Sequence, residues 1–592
     1  MPTLRESEAI GCPSPALGRR HRPWSNLLRR LRPLSAVAAV TAAALVLAGC
    51  GGGSGSDGGN GGGNGQAASS TENDTNPVDR AKLQEGGDLR WALQEIPPNF
   101  NYNELDGTLD DNSRVMNALM PTAFEFSADS TPSVNKDYFT KIELTSDDPQ
   151  EVTYDINPKA VWSDGTPITA QDLIAQWQAL NGTNEAYSVS ATNGYDQIAK
   201  VEQGKDERQA VVTFANPYAD WQALYSPLYP ASTNSDPNVF NTGWTEKPIV
   251  TAGPFRLQGI DTTAQTITLE RNPDWWGDKA ILDRIIYRVI DGDAQVDSLA
   301  NGEVDFIDIA SDVNKLQRAQ GTEGIKIRRA GGPNFRHITI NGTSPVLSDV
   351  NVRQAIAKAI DRQTIADAMV GQLGADSKKL DNHIFMRNQA GYQDNAGDLS
   401  KPDLDAANKQ LDEAGWTRQG EGTRTKDGQE LTVRFVIPSG VATSAQESQL
   451  VQSMLAKVGV KVDIQTVDTG EFFDKYITPG DFDLTVFSWI GTPFPISSSQ
   501  SIYAEPQGDD IQQNFARIGS KEIDDLFDKA THELDPDKAR DLANQVDALI
   551  WKEVHSLTLY QRPEIVAAKG TLANYGALGF ATARYQDIGF TK

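Results

Sequence analysis

The stretch Leu431-Thr-Val-Arg-Phe-Val-Ile437 opens the part of the sequence that decides the fold. Apolar and polar residues alternate at its start and give way to an apolar end, which predicts a strand that becomes buried. Apolar residues then recur at helical spacing from Leu450 to Val458, and Gly459 stands where a glycine commonly ends a helix. The alternation from Val460 to Ile464 predicts a second strand. Strand, helix and strand in this order form a βαβ unit, so the sheet should be parallel.

A third predicted strand runs from Phe482 to Trp489 and leads into Trp489-Ile-Gly-Thr-Pro-Phe494. Open α/β sheets bind ligands beyond the carboxyl ends of their strands, and Pro438-Ser-Gly440 follows the first strand at the same edge. We interpret the tryptophan and the turn residues after it as one wall of a binding cleft. The alternative is that Trp489 is a core residue, and the sequence leaves both open.

The amino terminus has the pattern of a bacterial lipoprotein signal. Arginines precede an apolar run, Leu34 to Ala48, which is shorter than the roughly 20 residues of a spanning helix. The run ends in Leu47-Ala-Gly-Cys50, which resembles a lipobox, where cleavage leaves a lipidated cysteine as the first residue. We therefore predict a signal peptide at 1–49, with export by the Sec or, from Arg29-Arg30, the twin-arginine route. The alternative is a short anchor helix with an incidental cysteine.

Cleavage would leave Cys50 as the single cysteine, because the other one, Cys12, lies in the signal. An intrachain disulfide is then impossible, and the fold must depend on its apolar core. Residues 50–85 are predicted to be a tether, since Gly51 to Asn76 is rich in glycine, serine and asparagine. Lipid, tether and globular body together predict a protein held on the outer face of the cytoplasmic membrane.

Charge and motifs narrow the function. The formal net charge is -26, and beyond residue 49 there are 47 basic and 78 acidic groups, which argues against nucleic-acid binding. The sequence has no Gly-x-Ser-x-Gly, His-Glu-x-x-His or Gly-x-x-x-x-Gly-Lys-Ser/Thr motif, and its five histidines show no metal-ligand spacing. We therefore expect neither an enzyme nor a metal or cofactor site.

Several motifs resemble one family. They are Val161-Trp-Ser-Asp-Gly-Thr-Pro-Ile-Thr-Ala-Gln-Asp-Leu173, Thr251-Ala-Gly-Pro-Phe-Arg-Leu257, Arg271-Asn-Pro-Asp-Trp-Trp-Gly277, Asn301-Gly-Glu-Val-Asp305 and Val352-Arg-Gln-Ala-Ile-Ala-Lys-Ala-Ile-Asp361. The chain resembles the family 5 extracellular solute-binding proteins of ABC importers, which bind dipeptides, oligopeptides or nickel. Three short segments and the last hundred residues are similar to actinobacterial oligopeptide-binding lipoproteins in particular; the segments are Pro97–Asn101, Asn382–Phe385 and Gly391–Asn395.

The resemblance implies an α/β, two-lobed, periplasmic-binding-protein-like fold of the cluster C type, with the ligand between the lobes. Lobe I is expected at 86–291 and again at 560–592, with an extra β-rich subdomain at about 122–205. Lobe II is expected at 292–559. Within the subdomain, Thr169 is predicted to cap a helix and Asp172 to complete a capping box.

The resemblance also implies function and partners. A monomeric, lipid-anchored protein would capture a small peptide or peptide-like solute and deliver it to ABC permease subunits and, through them, to the ATPase. One alternative is a non-transport binder of envelope glycolipid or a regulator of its synthesis. A hydrolase is the least favoured alternative, since nucleophile motifs are absent.

One departure from the family concerns the ligand. In its peptide binders, an aspartate shortly after the cleft tryptophan pairs with the α-amino group of the peptide. The matching residue here is Thr492, three after Trp489, so that charge is absent and a simple free-amine anchor is in doubt. The candidate ligand-binding residues are Phe100, Asn101, Phe335, His383, Trp489, Gly491, Thr492 and Phe494. The alternatives are a packed loop residue for Phe100, a core residue for Phe335 and a structural histidine for His383.

Overall fold

A computed structural model of the chain describes residues 73–508 and 510–592. The predicted signal peptide at 1–49, Cys50 and the tether up to residue 72 lie outside the described residues. The strands are β1 (Leu83–Gln84), β2 (Asp88–Leu93), β3 (Phe124–Phe126), β4 (Pro132–Val134), β5 (Phe139–Asp147), β6 (Gln150–Ile156), β7 (Ile198–Gln203), β8 (Gln209–Phe214), β9 (Phe255–Asp261), β10 (Thr266–Arg271), β11 (Arg284–Val289), β12 (Phe306–Asp308), β13 (Ile325–Ile340), β14 (Thr425–Lys426), β15 (Gln429–Glu430), β16 (Thr432–Pro438), β17 (Lys461–Val467), β18 (Leu484–Ile490), β19 (Ser556–Lys569), β20 (Leu572–Ala573) and β21 (Gly589–Thr591). The α-helices are α1 (Asp110–Met116), α2 (Ala170–Leu180), α3 (Ala231–Asn234), α4 (Pro237–Thr242), α5 (Gln295–Ala300), α6 (Val313–Gln320), α7 (Val350–Ala359), α8 (Arg362–Val370), α9 (Leu404–Glu413), α10 (Ala442–Ala456), α11 (Pro495–Tyr503), α12 (Lys521–His532) and α13 (Pro536–Glu553).

Ten of these strands form one sheet in the order β17-β16-β18-β13-β19-β12-β2-β11-β10-β9. The predicted βαβ unit is confirmed, because β16 is parallel to β17 with α10 between them. The third predicted strand, β18, is also parallel to β16. The prediction of a parallel sheet is wrong for the sheet as a whole, which is mixed. The long central strands β13 and β19 are antiparallel to each other, and β13 is antiparallel to β18, because β13 and β19 come from segments distant from the βαβ unit.

Two large apolar clusters lie at the two ends of these central strands. The lobe I cluster includes Trp91, Phe255 and Tyr287, and the lobe II cluster includes Ile356 and Phe435. Each lobe therefore has its own core, and β13 and β19 cross between them.

The expected start of lobe II at 292 does not fit the packing. β12 pairs with β2 and β19, so it belongs to the lobe I half of the sheet. Val296 of α5 and Leu316 of α6 pack in one cluster with Ala92 and Ile565. The resemblance could not supply this detail, because the pairing depends on contacts distant in sequence. We propose that the lobe boundary falls within β13.

The β-rich subdomain is an antiparallel sheet in the order β5-β6-β8-β7. It includes Gln209–Phe214, so it extends past the expected limit at 205. The predicted capping box of α2 is confirmed. The Thr169 hydroxyl accepts a hydrogen bond from the backbone of the first turn, and the Thr169 amide donates to Asp172 Oδ2 at 2.8 Å.

Strand directions place the cleft. β2 and β12 are parallel to each other and run in the direction of β13, because both β12 and β13 are antiparallel to β19. β18 runs against β13, and β16 runs with β18. The carboxyl ends of the strands of lobe I therefore point toward those of lobe II. The two sets of ends meet near the middle of the crossing strands, where a ligand is expected.

Candidate ligand-binding cleft

The floor of the cleft is a break in the pairing of the two crossing strands. The register between β13 and β19 shifts between Gly331 and Phe335. At Gly332 the strands come so close that a Cβ would lie 2.8 Å from the carbonyl oxygen of Arg562, so glycine is required. The Gln561 side chain closes the gap by donating to the Gly332 carbonyl at 2.8 Å. This floor is held by side-chain hydrogen bonds in place of the regular ladder.

Trp489 lies at the edge of this floor, near the carboxyl end of β18. It is half-buried and contacts three separate apolar clusters of lobe II. Its ring stacks on Phe515, with centroids 5.8 Å apart and planes 2° apart, and on His337 at 5.7 Å and 12°. Burial of the His337 ring lowers its pKa, so this neighbour is neutral at physiological pH. Trp489 is therefore packed against its neighbours like a core residue, but part of its side chain stays accessible, as a cleft wall requires.

The next two residues form the rim. Ile490 is 75% exposed, although it is a large apolar residue at the end of a buried strand. Gly491 turns the chain, and its amide donates to the Pro333 carbonyl at 2.6 Å. A Cβ on Gly491 would lie 2.6 Å from Met386 Cε and 2.9 Å from that carbonyl oxygen, so the close approach requires glycine. Sequence reasoning missed Ile490; its position between Trp489 and Gly491 was the available signal.

Thr492 uses its polar atoms within lobe II. Its hydroxyl donates to Ser498 Oγ at 3.1 Å and accepts from the Phe494 amide at 3.1 Å. Its carbonyl accepts from Gln389 Nε2 at 2.8 Å. The threonine therefore stabilises the start of α11, and its hydroxyl is already occupied.

Phe494 precedes α11 and contacts the other lobe. Its ring meets Phe126 of lobe I edge-on at 5.5 Å. It also lines a crevice of about 100 Å³ whose walls come from both lobes, including Asp129, Asp220 and Gln389. The backbone amide of Ala219 donates to the Thr531 carbonyl at 2.9 Å beside it. These contacts join the lobes in addition to the crossing strands.

The two candidate residues from lobe I, Phe100 and Asn101, make no recorded contact with the cleft residues Trp489 to Phe494. Phe100 is 1% exposed, and its backbone is bonded to Trp244 and Tyr229. Asn101 is fully buried and donates to the Phe240 carbonyl at 3.0 Å. Both therefore serve the packing of a loop in lobe I.

The two remaining candidates lie inside lobe II. Phe335 is cross-strand partner of Trp489 and is 6% exposed, so it forms part of the floor beneath the tryptophan. His383 is fully buried, with Nδ1 2.7 Å from Asp547 Oδ1 and Nε2 3.1 Å from the Ser556 carbonyl. Both of its nitrogens have partners, as expected for a structural histidine. Ligand contact by either residue stays a prediction.

A buried polar network lies on the opposite face of β13, and sequence reasoning missed it. Arg336 forms a salt bridge with Glu447 of α10 and donates to Ser444 Oγ at 3.1 Å. Tyr560 of β19 donates to Glu447 Oε1 at 2.7 Å. The network ties α10 to both crossing strands directly below the cleft. An arginine within an apolar strand was the available signal.

Two features are absent from the residues that the structure describes. None of their helices combines the length and apolar character that a membrane crossing demands. Residues 73–508 and 510–592 also hold no group of three or more histidine, cysteine or acidic side chains placed to bind a metal ion.

A solved structure shares this architecture. The periplasmic EDTA-binding protein EppA superimposes with a TM-score of 0.77 at 27% sequence identity, covering 88% of this chain and all but 1% of that one. Two lobes, crossing strands and a cleft at converging strand ends define a solute-binding protein.

The sequence comparisons agree with this class. Residues 134–510 match the family model of the bacterial extracellular solute-binding proteins, family 5. The oligopeptide-binding protein OppA of Mycobacterium tuberculosis is 42% identical over 579 residues, which cover 96% of this chain and 95% of that protein. The probable monoacyl phosphatidylinositol tetramannoside-binding protein LpqW of the same species is 26% identical over 452 residues, which cover 71% of this chain and 70% of that protein. The chain belongs to the family 5 extracellular solute-binding proteins.

Proposed function

We propose that this protein is the substrate-binding lipoprotein of an ABC importer, and that it captures oligopeptides outside the membrane for delivery to the permease. The observation that carries the proposal is the 42% identity to OppA over 96% of the chain. The cleft supports it, since an aromatic wall with exposed backbone and a few polar groups suits a medium-sized, partly apolar solute. We propose that Trp489, Ile490 and Gly491 line it.

A second candidate is a binder of envelope glycolipid. The similarity to LpqW favours it, as does Thr492, whose hydroxyl is occupied and which supplies no charge for a peptide amine. Native mass spectrometry of the purified protein discriminates between the candidates. A retained mass in the range of a short peptide supports the importer, whereas a retained glycolipid supports the second candidate.

A peptide that fits the cleft should close the lobes and raise the melting temperature. A ligand that binds only the folded state stabilises it by about 2.7 kcal/mol at a hundred times its dissociation constant. Hinge closure should also reduce the radius of gyration, because the lobes are joined by two crossing strands. Thermal melts and X-ray scattering with a set of peptides of three to nine residues measure both. Unchanged melts and profiles for every peptide would contradict the proposed function.

Cys50→Ser should release the protein from the membrane or leave it unprocessed. Two acyl chains give stable anchoring because each buried CH₂ contributes about 0.8 kcal/mol. Detergent-phase partitioning of cells that express either form measures the anchor. Cys12→Ser is the matched control and should partition like the native protein, since that residue precedes the cleavage site. Equal partitioning of the Cys50→Ser protein would rule out lipidation there.

A further inference from the structure

Each crossing strand carries one arginine close to the break in their pairing, and the surroundings of the two side chains differ. Arg336 of β13 has its charge offset by Glu447. Arg562 of β19 has no acidic partner among the ion pairs of the described residues; its guanidinium Nη2 donates to the hydroxyl of Ser311 at 2.8 Å. In a chain with a net charge of -26, a cation left without a carboxylate at this place requires an explanation.

Arg562 lies where the two lobes meet. Its carbonyl oxygen approaches Gly332 in the broken ladder, and the next residue, Pro563, is the register partner of Gly331. Ser311 follows β12 of lobe I, at the carboxyl ends of the strands of that lobe. Arg562 is also close enough to Glu447 of lobe II for the two charges to interact. The Arg562 side chain therefore reaches from the crossing strand β19 to the segment that follows β12, at the carboxyl ends of the lobe I strands.

The backbone beside Ser311 is strained. Ala310 has φ +53°, a left-handed conformation that residues other than glycine seldom adopt. Ala310 lines a cavity of about 410 Å³ at the ends of β2 and β12. Ser311 directly follows Ala310, and its hydroxyl accepts the hydrogen bond from the Arg562 guanidinium. Strain of this kind is commonly found where a ligand is bound.

The carboxylates of Glu564 and Asp308, near Arg562 in the fold, already have other partners. Glu564 accepts a hydrogen bond from the Gly579 amide at 2.6 Å, and Asp308 is paired with Arg114 at 2.7 Å. Burial lowers the pKa of Arg562, and the positive charge of Arg336 lowers it further. The environment therefore disfavours a cation without a counterion. An incoming anion would remove this cost, because a half-buried guanidinium is stabilised by a bidentate carboxylate.

We propose that Arg562, oriented by Ser311, binds a carboxylate group of the solute at the cleft floor. This inference rests on the proposed solute-binding role and deepens it. The carboxylate could belong to the carboxyl terminus of a peptide or to a small polycarboxylate. Arg562 would then determine specificity for anionic solutes, and the end of the solute that bears the carboxylate would lie next to the crossing strands.

Calorimetry with penta-alanine, as the free acid and as its carboxyl-terminal amide, tests the peptide source. The native protein should bind the acid at least tenfold more tightly. Arg562→Gln should bind both forms equally, because the group that distinguishes them is gone. Arg329→Gln is the matched control, since Arg329 is on the other crossing strand, donates to the Leu373 carbonyl and should leave the tenfold difference intact. No difference in the native protein, or a tenfold difference that survives Arg562→Gln, would overturn the inference.

EDTA as a second probe tests the polycarboxylate source. If neither form of penta-alanine binds, this result counts against oligopeptide binding as the function. The carboxylate site at Arg562 is then tested by EDTA alone. Binding by the native protein that is lost in Arg562→Gln supports a carboxylate site, and no binding to the native protein overturns it. If Arg562→Gln does not fold, Arg562→Lys replaces it. It keeps the charge without the planar fork, so a difference between acid and amide as large as in the native protein would contradict the proposal.

Discussion

Replacing Arg336 by methionine should lower the free energy of unfolding by about 3–5 kcal/mol, the cost of breaking a buried ion pair from one side. The Arg336 and Glu447 side chains are 8% and 0% exposed, so removal of the guanidinium leaves a carboxylate that water cannot reach. Tyr560 would still donate one hydrogen bond to Glu447, but it supplies no charge. Urea unfolding followed by tryptophan fluorescence measures the loss.

Two further variants separate the buried charge from the loss of packing. Arg336→Met combined with Glu447→Leu should recover most of the stability, because removal of both charges leaves no buried charge unpaired, although the Tyr560 hydroxyl loses its acceptor. Arg434→Met breaks an exposed pair with Asp481 in the same lobe and should cost less than about 1 kcal/mol. Equal losses in the single and double variants of the buried pair would show that the arginine acts through its volume alone.

Trp489→Ala should weaken solute binding at least about thirtyfold, since a buried aromatic anchor contributes about 2 kcal/mol or more. The ring is held in place by Phe515 and His337 before a ligand arrives, so little conformational entropy is lost on binding. Calorimetry with a peptide that raises the melting temperature of the native protein measures the affinity.

The control for this variant is Trp416→Ala. Trp416 is buried in the lobe II core, and its neighbour in the fold, Arg424, bonds to Leu431 just before the amino end of β16. It therefore lies at the edge of the sheet away from the cleft. Both substitutions should reduce the melting temperature through the cavity they leave, but only Trp489→Ala should reduce affinity. If Trp489→Ala and Trp416→Ala bound the peptide with similar affinity, Trp489 would contribute to packing and not to solute binding.

Local patterns in the sequence determined much of this protein. The alternation and helical spacing from Leu431 onward predicted β16, α10, β17 and their parallel pairing, because these elements are adjacent in the chain and their patterning is regular. The capping box at Thr169 and Asp172 was predictable for the same reason, since its hydrogen bonds span three residues. Family motifs supplied the two-lobed fold, and Trp489 was correctly placed at a strand end.

Only the tertiary structure decided the surroundings of the cleft. Phe100 and Asn101 are buried in lobe I because Trp244, Tyr229 and Phe240, far along the chain, complete their contacts. Arg336 and Arg562 have similar positions in apolar strands, yet one has a buried acidic partner from α10 and the other does not. Partner choice depends on which distant segments the long-range strand pairing brings together, and the local pattern of residues carries no record of that pairing.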